Sequence, residues 1–391
     1  MKRSTDRILV THAGSLPRPD ELIEANRERP TAEATAARLR SAVAEIVQHQ
    51  AAVGVDVVND GEFGKPMTEA VDYGAWATYI HERLSGFERR EIPDVLTVMR
   101  EILGESKDHH DFAAFYAAAA GGVNADRRQG PYKLSVNVGP IKYTGQAFIQ
   151  RDIDNFKAAL RDVRVTDAFM SAVFTGVQIG TSEHYRSKDE EAVAVAEAMR
   201  EEYRAIVNAG LNVQIDDPIF VNVYEMRYSM TGDLRGFRNW AAAHVELVNH
   251  ALEGIPEERV RYHLCWGSWV GPHSTDLPLR EVIDLLVKIK ASQYSFEAAN
   301  AQHEHEWKVW QDVQLPPGRA LIPGVVTHKT SVLEHPELVA DRIVRYADIV
   351  GKENVIAGTD CGFGGRLHPQ LAWAKLKALA EGAELANRRL W

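Results

Sequence analysis

The sequence predicts an α/β chain folded as a (β/α)8 TIM barrel with a helical excursion after its second strand. Short β-type runs alternate with long helical ones along the chain, and the runs start near residues 8, 55, 168, 213, 260, 293, 321 and 355. Strands joined by helices through short connections are parallel strands with crossovers, and about eight of them suit a barrel. An open doubly wound sheet would want a glycine-rich phosphate loop after the first strand. Thr11-His12-Ala13-Gly14-Ser15-Leu16-Pro17 has too few glycines for that.

Each element follows from local pattern. Ile8-Leu9-Val10-Thr11 reads as the first strand, Thr31 to Ala52 as an Ala-rich helix, and Val55-Asp56-Val57-Val58 as the second strand. Residues 66 to 165 then form the excursion, with helices around Glu82 and Phe112 and a surplus strand-like run, Tyr132-Lys133-Leu134-Ser135-Val136-Asn137-Val138. From Ser187 to Ala209 a helix ends at Gly210, a common stop, and leads into Val213-Gln214-Ile215-Asp216. Helices over Trp240–Leu252, Leu279–Ala291 and Pro336–Val350 lead into strands at Val260, Gln293 and Asn354. Leu321–Val326 is a further strand, and a helix from Pro369 towards Arg388 closes the series. Residues 1–391 are thus expected to be one barrel, with 66–165 inserted within it.

A chain of 391 residues, 45% hydrophobic and 26% charged, can bury a large core. Its formal net charge of -10 excludes nucleic acid and a membrane surface as partners, since no basic excess exists to meet phosphates. No uninterrupted apolar span occurs. The start, Met1-Lys2-Arg3-Ser4-Thr5-Asp6-Arg7, runs straight into a strand without a signal-peptide pattern, so the expected location is cytoplasmic. Thiols stay reduced there.

Active sites of such barrels lie at the C-terminal ends of the strands, and nearly every predicted strand here ends in chemistry. His12 and Ser15 follow the first, Asp60 and Glu62 the second, and Asp216 with Asp217 the fourth. His263 and Cys265 end the fifth, Glu297 the sixth, His328 the seventh, and Asp360 with Cys361 the eighth. Any one of these acids alone reads as a helix cap or loop residue. Together they read as one pocket.

Within that set, His263 and Cys265 are two apart on a strand and so share a face. Cys361, the other of the chain's two cysteines, comes from another strand end. A zinc site with three protein ligands and one open position is catalytic, whereas closed structural sites use C-x-x-C knuckles, absent here. Two other readings stay open: cysteines as small buried hydrophobes, or a disulfide. The pattern by itself does not name a fourth ligand. His303-Glu304-His305-Glu306-Trp307 does not suit a second metal, because helical histidine pairs need a spacing of four; it reads as a loop that orders Glu297 or lines the pocket. Trp266 and Trp269 read equally as a stacking platform and as walls that exclude water.

Six segments resemble the catalytic half of cobalamin-independent methionine synthase and its single-barrel relatives, including epoxyalkane:coenzyme M transferase. They are Thr11–Pro17, Asn59-Asp60-Gly61-Glu62-Phe63-Gly64, Val213–Pro218, His263-Leu264-Cys265, Phe296-Glu297-Ala298-Ala299-Asn300 and Thr359-Asp360-Cys361-Gly362. The likeness runs in the same order from residue 11 to about 366.

The resemblance implies a zinc ion held by His263, Cys265, Glu297 and Cys361, with Glu297 loosening when a thiol binds. It implies that Ser15 contacts the carboxylate of an amino-acid thiol, that Glu62 and Asp216 receive its ammonium, and that His328 manages the proton of the leaving group. The expected partners are a small-molecule thiol and an alkyl donor; the oligomeric state is left open. Zinc suits such chemistry because a coordinating thiol is deprotonated by the metal. The full-length enzyme resembles two fused barrels, so folate-tail contacts from a second barrel are not expected here. Phe174-Thr175-Gly176-Val177 also stands where folate-dependent members have a Thr-Gly-Pro strand end. The resemblance therefore predicts a zinc-dependent thiol S-alkyltransferase, with methyl transfer to homocysteine or a related thiol ranked above epoxide opening by coenzyme M. Lys65, Arg18 and Arg366 lie near enough to strand ends to serve an anionic thiol. A non-catalytic metal- or thiol-binding barrel is the reading of a different class.

Overall fold

The computed structural model describes residues 1–28, 32–67, 79–80, 82–92, 106–121, 132–174 and 180–391. The barrel strands are β1 (Leu9–Val10), β2 (Val57–Val58), β5 (Asp167–Val173), β7 (Asn212–Asp217), β8 (Val260–Leu264), β9 (Gln293–Phe296), β10 (Ala320–Val326) and β11 (Ile356–Thr359). They form one eight-stranded sheet in the order β1-β11-β10-β9-β8-β7-β5-β2, every pair parallel. The ends of this sheet meet where the Asp56 N–H donates to the Val10 carbonyl at 2.9 Å, between β1 and β2. Each strand begins within two residues of its predicted start.

The expected helices lie near their ranges with two departures: the one expected over Trp240–Leu252 begins at Leu234, behind the Asp233 cap, and the segment 279–291 breaks up. A further helix, Asp20–Glu28, is not among those expected. Lys188–Asn208 begins where the Ser187 side chain accepts from the Glu190 N–H, and Pro336–Val350 and Pro369–Leu390 begin on proline, which loses nothing at a helix's first turn. The segment expected as one helix over 279–291 is instead a 3-10 turn, Leu279–Glu281, and a short helix, Ile283–Leu286. Its bonds there include Leu285 N to Val282 O, Lys288 N to Leu285 O and Ile289 N to Leu286 O, the tighter i to i+3 pattern. β-Branched Val282, Ile283 and Val287 lose rotamer freedom in an α-helix and weaken its hold.

After β2 the chain leaves the barrel. β3 (Phe87–Ile92) and β4 (Tyr132–Asn137) pair antiparallel, and β6 (Gly180–Ser182) adds parallel to β4 from the connection after β5. Glu82 is helical, and helices Lys107–Asp111 and Ala113–Gly121 flank Phe112. The span 66–165 also holds the helix Gln146–Leu160, which packs against the helices Ala32–Ala52 and Lys188–Asn208 in the barrel's outer ring. A buried Arg83 ties this region together, paired with Asp152 at 2.9 Å and Glu202 at 3.0 Å.

Alternation along the strands divides the barrel. Outward residues such as Val213, Ile215, Tyr262, Leu264, Tyr294 and Phe296 join the main core beneath the helices. Inward, Leu9, Val57, Phe169, Ile322 and Ile356 make an apolar floor. Above it Arg261 lies 4.2 Å over the Phe169 ring and donates to Thr11 Oγ1 at 2.9 Å. The next residues up the same strands are the candidate site.

Candidate active site

His263 and Cys265 follow Arg261 at the same phase of β8, so all three face the barrel axis. One ligand atom from each of His263, Cys265 and Cys361 lies within 4.8 Å of the others, and all three residues are buried. The two cysteines are free thiols with sulfurs 3.7 Å apart, which removes the disulfide reading. The hydrogen bond between the sulfurs holds the Cys361 thiol well below its ordinary range and pushes Cys265 well above. Backbone and hydroxyl groups of the following loop back them up, Gly267 N–H to Cys265 Sγ at 3.3 Å and Ser268 Oγ to Cys361 Sγ at 3.5 Å.

This trio fits a zinc ion. Nδ1 of His263 is 3.2 Å from Ser295 Oγ, which orients the ring, while Nε2 is buried with no partner among the described residues. An unpartnered imidazole nitrogen beside two thiols is the donor set that zinc takes.

Glu297, expected as the fourth ligand, falls in a second group with His328 and Asp360, also within 4.8 Å of one another. Its Oε1 accepts from the Trp266 N–H at 3.0 Å. Its Oε2 accepts from Asn300 Nδ2 at 2.8 Å and pairs with Lys329 Nζ at 3.1 Å. That ammonium argues against a second cation in the Glu297 group. Asp360 is likewise engaged, taking the N–H groups of Ala298 and Ala299 at 2.7 and 2.8 Å. Burial holds His328 neutral, its pKa pushed down to about 3, and neither of its ring nitrogens has a partner among the described residues.

The substrate-side residues gather at the same end. Asp216 is buried, with Gln214 Nε2 donating to Oδ1 at 2.6 Å and no partner on Oδ2 among the described residues. Burial and the neighbouring Glu62 charge push its carboxyl up to about 7. Glu62, at φ 62, pairs with Lys65 at 3.3 Å. Its carboxylate packs against Gly14, at φ 123, where any β-carbon would collide with it. Ser15 is half-buried, its carbonyl accepting the N–H groups of Phe363 at 2.8 Å and Gly364 at 3.0 Å, which sets it beside the Cys361 loop.

Other polar strand ends are structural. His12 accepts the Gly14 N–H on Nδ1 and donates from Nε2 to Gln50 at 2.8 Å, and burial lowers its pKa to about 4. Asp217 points outward to His244 and to Tyr262 OH, the latter at 2.8 Å. Burial and the Asp152 charge raise Asp60 to about 6, and its Oδ1 accepts the Glu62 N–H at 3.0 Å. Arg18 donates to the Glu62 and Lys65 carbonyls, and Arg366 to the Gly362 carbonyl at 2.9 Å. Both tryptophans are committed to the wall: Trp266 donates to Leu277 O at 2.8 Å, and Trp269 to Tyr116 OH at 3.3 Å. His303 lies between Glu306 at 2.8 Å and Asp276 at 3.2 Å, its ring 4.3 Å from Trp266. Thr175 to Val177, which carry the departure at the third strand's end, lie outside the described residues.

The sequence reading does not single out Lys329, and it holds Asn300 only as the last residue of the segment Phe296–Asn300. Each had a faint signal: Lys329 adjoins His328, and Asn300 stands three residues after Glu297.

Fold and site together define an eight-stranded α/β-barrel enzyme with an imidazole–thiol cluster at the strand ends. The model for the catalytic domain of cobalamin-independent synthases matches residues 140–385, and the chain belongs to that family. The 2-hydroxypropyl-CoM lyase of Xanthobacter autotrophicus is 24% identical over 387 residues, covering 90% of this chain and 86% of its own. A methionine synthase of Sulfurisphaera tokodaii is 25% identical over 394 residues, covering 97% of this chain and 93% of its own. The B12-independent methionine synthase of Shewanella sp. W3-18-1, solved in complex with selenomethionine, matches 98% of this chain and 99% of its own with a TM-score of 0.70. At 21% identity that likeness shows the fold. No described helix is long and apolar enough to cross a membrane.

Proposed function

We propose that the protein is a zinc-dependent thiol S-alkyltransferase, that residues 1–391 act as one barrel unit, and that the acceptor is homocysteine or a related amino-acid thiol. The observation that carries the reading is the convergence of His263, Cys265 and Cys361, with an unpartnered Nε2 on the histidine. Those three would hold zinc with Glu297 able to complete the set. The ion would lower the pKa of a coordinating thiol, so that the nucleophile is a thiolate at neutral pH.

The chain's own groups supply the rest. The unpartnered Oδ2 of Asp216, beside Glu62, suits an ammonium group, which would complete a buried charge-assisted hydrogen bond. Ser15 offers a hydroxyl for the carboxylate. His328, neutral and unpartnered, can donate a hydrogen bond from its ring N–H to the donor's leaving atom. Buried Trp266, beside Cys265, would help to keep water from the nucleophile.

A second reading has one observation in its favour. Lys65 lies against Glu62, so the acid end of the pocket also carries a cation that suits a sulfonate thiol such as coenzyme M. The deciding experiment crosses homocysteine and coenzyme M with methyl-folate, methylcobalamin and a short epoxide on zinc-loaded protein, with products identified by mass spectrometry. S-alkylated homocysteine is the expected product. Turnover with coenzyme M and epoxide alone would select the second reading, and binding of zinc and thiol without turnover of any pair would select a non-catalytic barrel.

A further inference from the structure

Glu297 is held by two hydrogen-bond donors and, across an ion pair, by a cation. Trp266 N–H fixes Oε1, Asn300 Nδ2 donates to Oε2, and Lys329 Nζ lies 3.1 Å from Oε2. The Glu297 side chain is 0% exposed and that of Lys329 18%. Lys329 faces two more acids, and both are occupied: Asp360 by the backbone of residues 298 and 299, Asp276 by His273 at 3.0 Å and His303 at 3.2 Å. The single ion pair of Lys329 among the described residues is with Glu297.

An ammonium is an odd neighbour for a cation site. It repels a dication through a poorly screened interior and draws charge from the carboxylate that would bind it. A centre built only to hold metal tightly would do better with a neutral side chain in that position. The arrangement makes sense if Glu297 must leave the metal easily.

We infer that Lys329 is a positioning residue that competes with the metal for Glu297, giving the carboxylate a second, preformed ion pair so that an incoming thiol can take its coordination position. This rests on the reading of Glu297 as a zinc ligand. The exchange is balanced: a metal–oxygen bond breaks as a metal–sulfur bond forms, the thiol proton passes to solvent, and Glu297 keeps its negative charge against Lys329.

The sign of one measurement separates this from a structural role. Lys329→Gln should tighten zinc binding in thiol-free protein by roughly tenfold, because the carboxylate loses the ion-pair partner that competes with the metal, read by competition with a chelator. Replacement of an oxygen by a sulfur neighbour, followed by X-ray absorption during thiol titration, should need correspondingly more thiol. Lys329→Arg should restore both. In a Glu297→Gln background the Lys329→Gln change should tighten zinc much less, by the direct charge repulsion alone, because nothing remains to compete for.

Unchanged or weakened zinc binding in folded Lys329→Gln protein overturns the inference. So does tightening that persists in full in the Glu297→Gln background, since that is a general charge effect. Failure of the parent reading looks different: wild-type protein would bind no zinc, or bind it with the same affinity after Cys265→Ser.

Discussion

Asp216 and His263 are register partners on the adjacent parallel strands β7 and β8. Neighbours in register on one barrel face stand side by side, so the acid proposed to read the substrate's ammonium and the imidazole proposed to bind the metal are set by one ladder of backbone hydrogen bonds. On that reading, the separation between the reactive sulfur and the ammonium of a short amino-acid thiol would be set by a strand spacing.

Purified protein should carry about one zinc per chain. Cys265→Ser or Cys361→Ser should weaken zinc by more than the roughly 10- to 100-fold typical of an outer partner. The circular dichroism spectrum should stay that of the parent, because the core under the helices does not depend on the metal. Metal analysis after gel filtration reads the result, and a full complement of zinc in the double variant would sink the assignment.

Asp216→Asn and Glu62→Gln should each weaken homocysteine by about 1.5 to 3 kcal/mol, the worth of a hydrogen bond to a charged group. For coenzyme M the Glu62 change should go the other way, since it releases Lys65 from its 3.3 Å partner to meet a sulfonate. Calorimetric titration of both thiols on the same variants reads the sign. Equal losses for the two would mean that these acids shape the barrel rim and do not read the substrate.

His303 is buried between Asp276 and Glu306; burial lowers its pKa, but those two carboxylates outweigh it and raise the value to about 9 from 6.5. A raised folded pKa stabilises fully below the unfolded value and is lost as pH rises through the folded one. His303→Gln should therefore cost on the order of 3 kcal/mol at pH 6, with the proton-linked part of that cost fading by pH 9.5. Urea unfolding at the two pH values measures the difference, and a pH-independent cost would show that the ring acts by packing alone.

Gly14→Ala should lower stability by roughly 1 to 3 kcal/mol, because its φ of 123 is strained for a side chain and the added carbon meets Glu62 and Ser171. Thiol affinity should fall with it, since Glu62 must move. Thermal unfolding and thiol titration on the same sample check both parts.

Much of this was readable from residues alone, for physical reasons. Parallel barrel strands are buried on both faces and stand out as compact apolar runs, so all eight were located. His263 and Cys265 were legible because a period of two is intrinsic to a strand. Phase was harder. Asp216 and Asp217 look alike in sequence, yet one step along a strand reverses the face, and the second acid braces His244 outside the barrel. Pairings between separate strand ends, Lys329 with Glu297 and Lys65 with Glu62, depend on how loops bring long side chains together, and no periodicity encodes that.

Gly324 on β10 carries none of the candidate ligands. A β-carbon there would lie 2.6 Å from both Cα and N of Asp360, so the glycine is the gap through which the Asp360 carboxylate crosses from β11 to clasp the backbone behind Glu297 on β9. Two strands that are not neighbours, each leading into a proposed ligand, are thus spaced by a side chain passing through a third. A methyl group at a position with no chemistry of its own would act on the proposed metal centre as a wedge in a caliper, changing its bite while leaving every proposed ligand in the sequence intact.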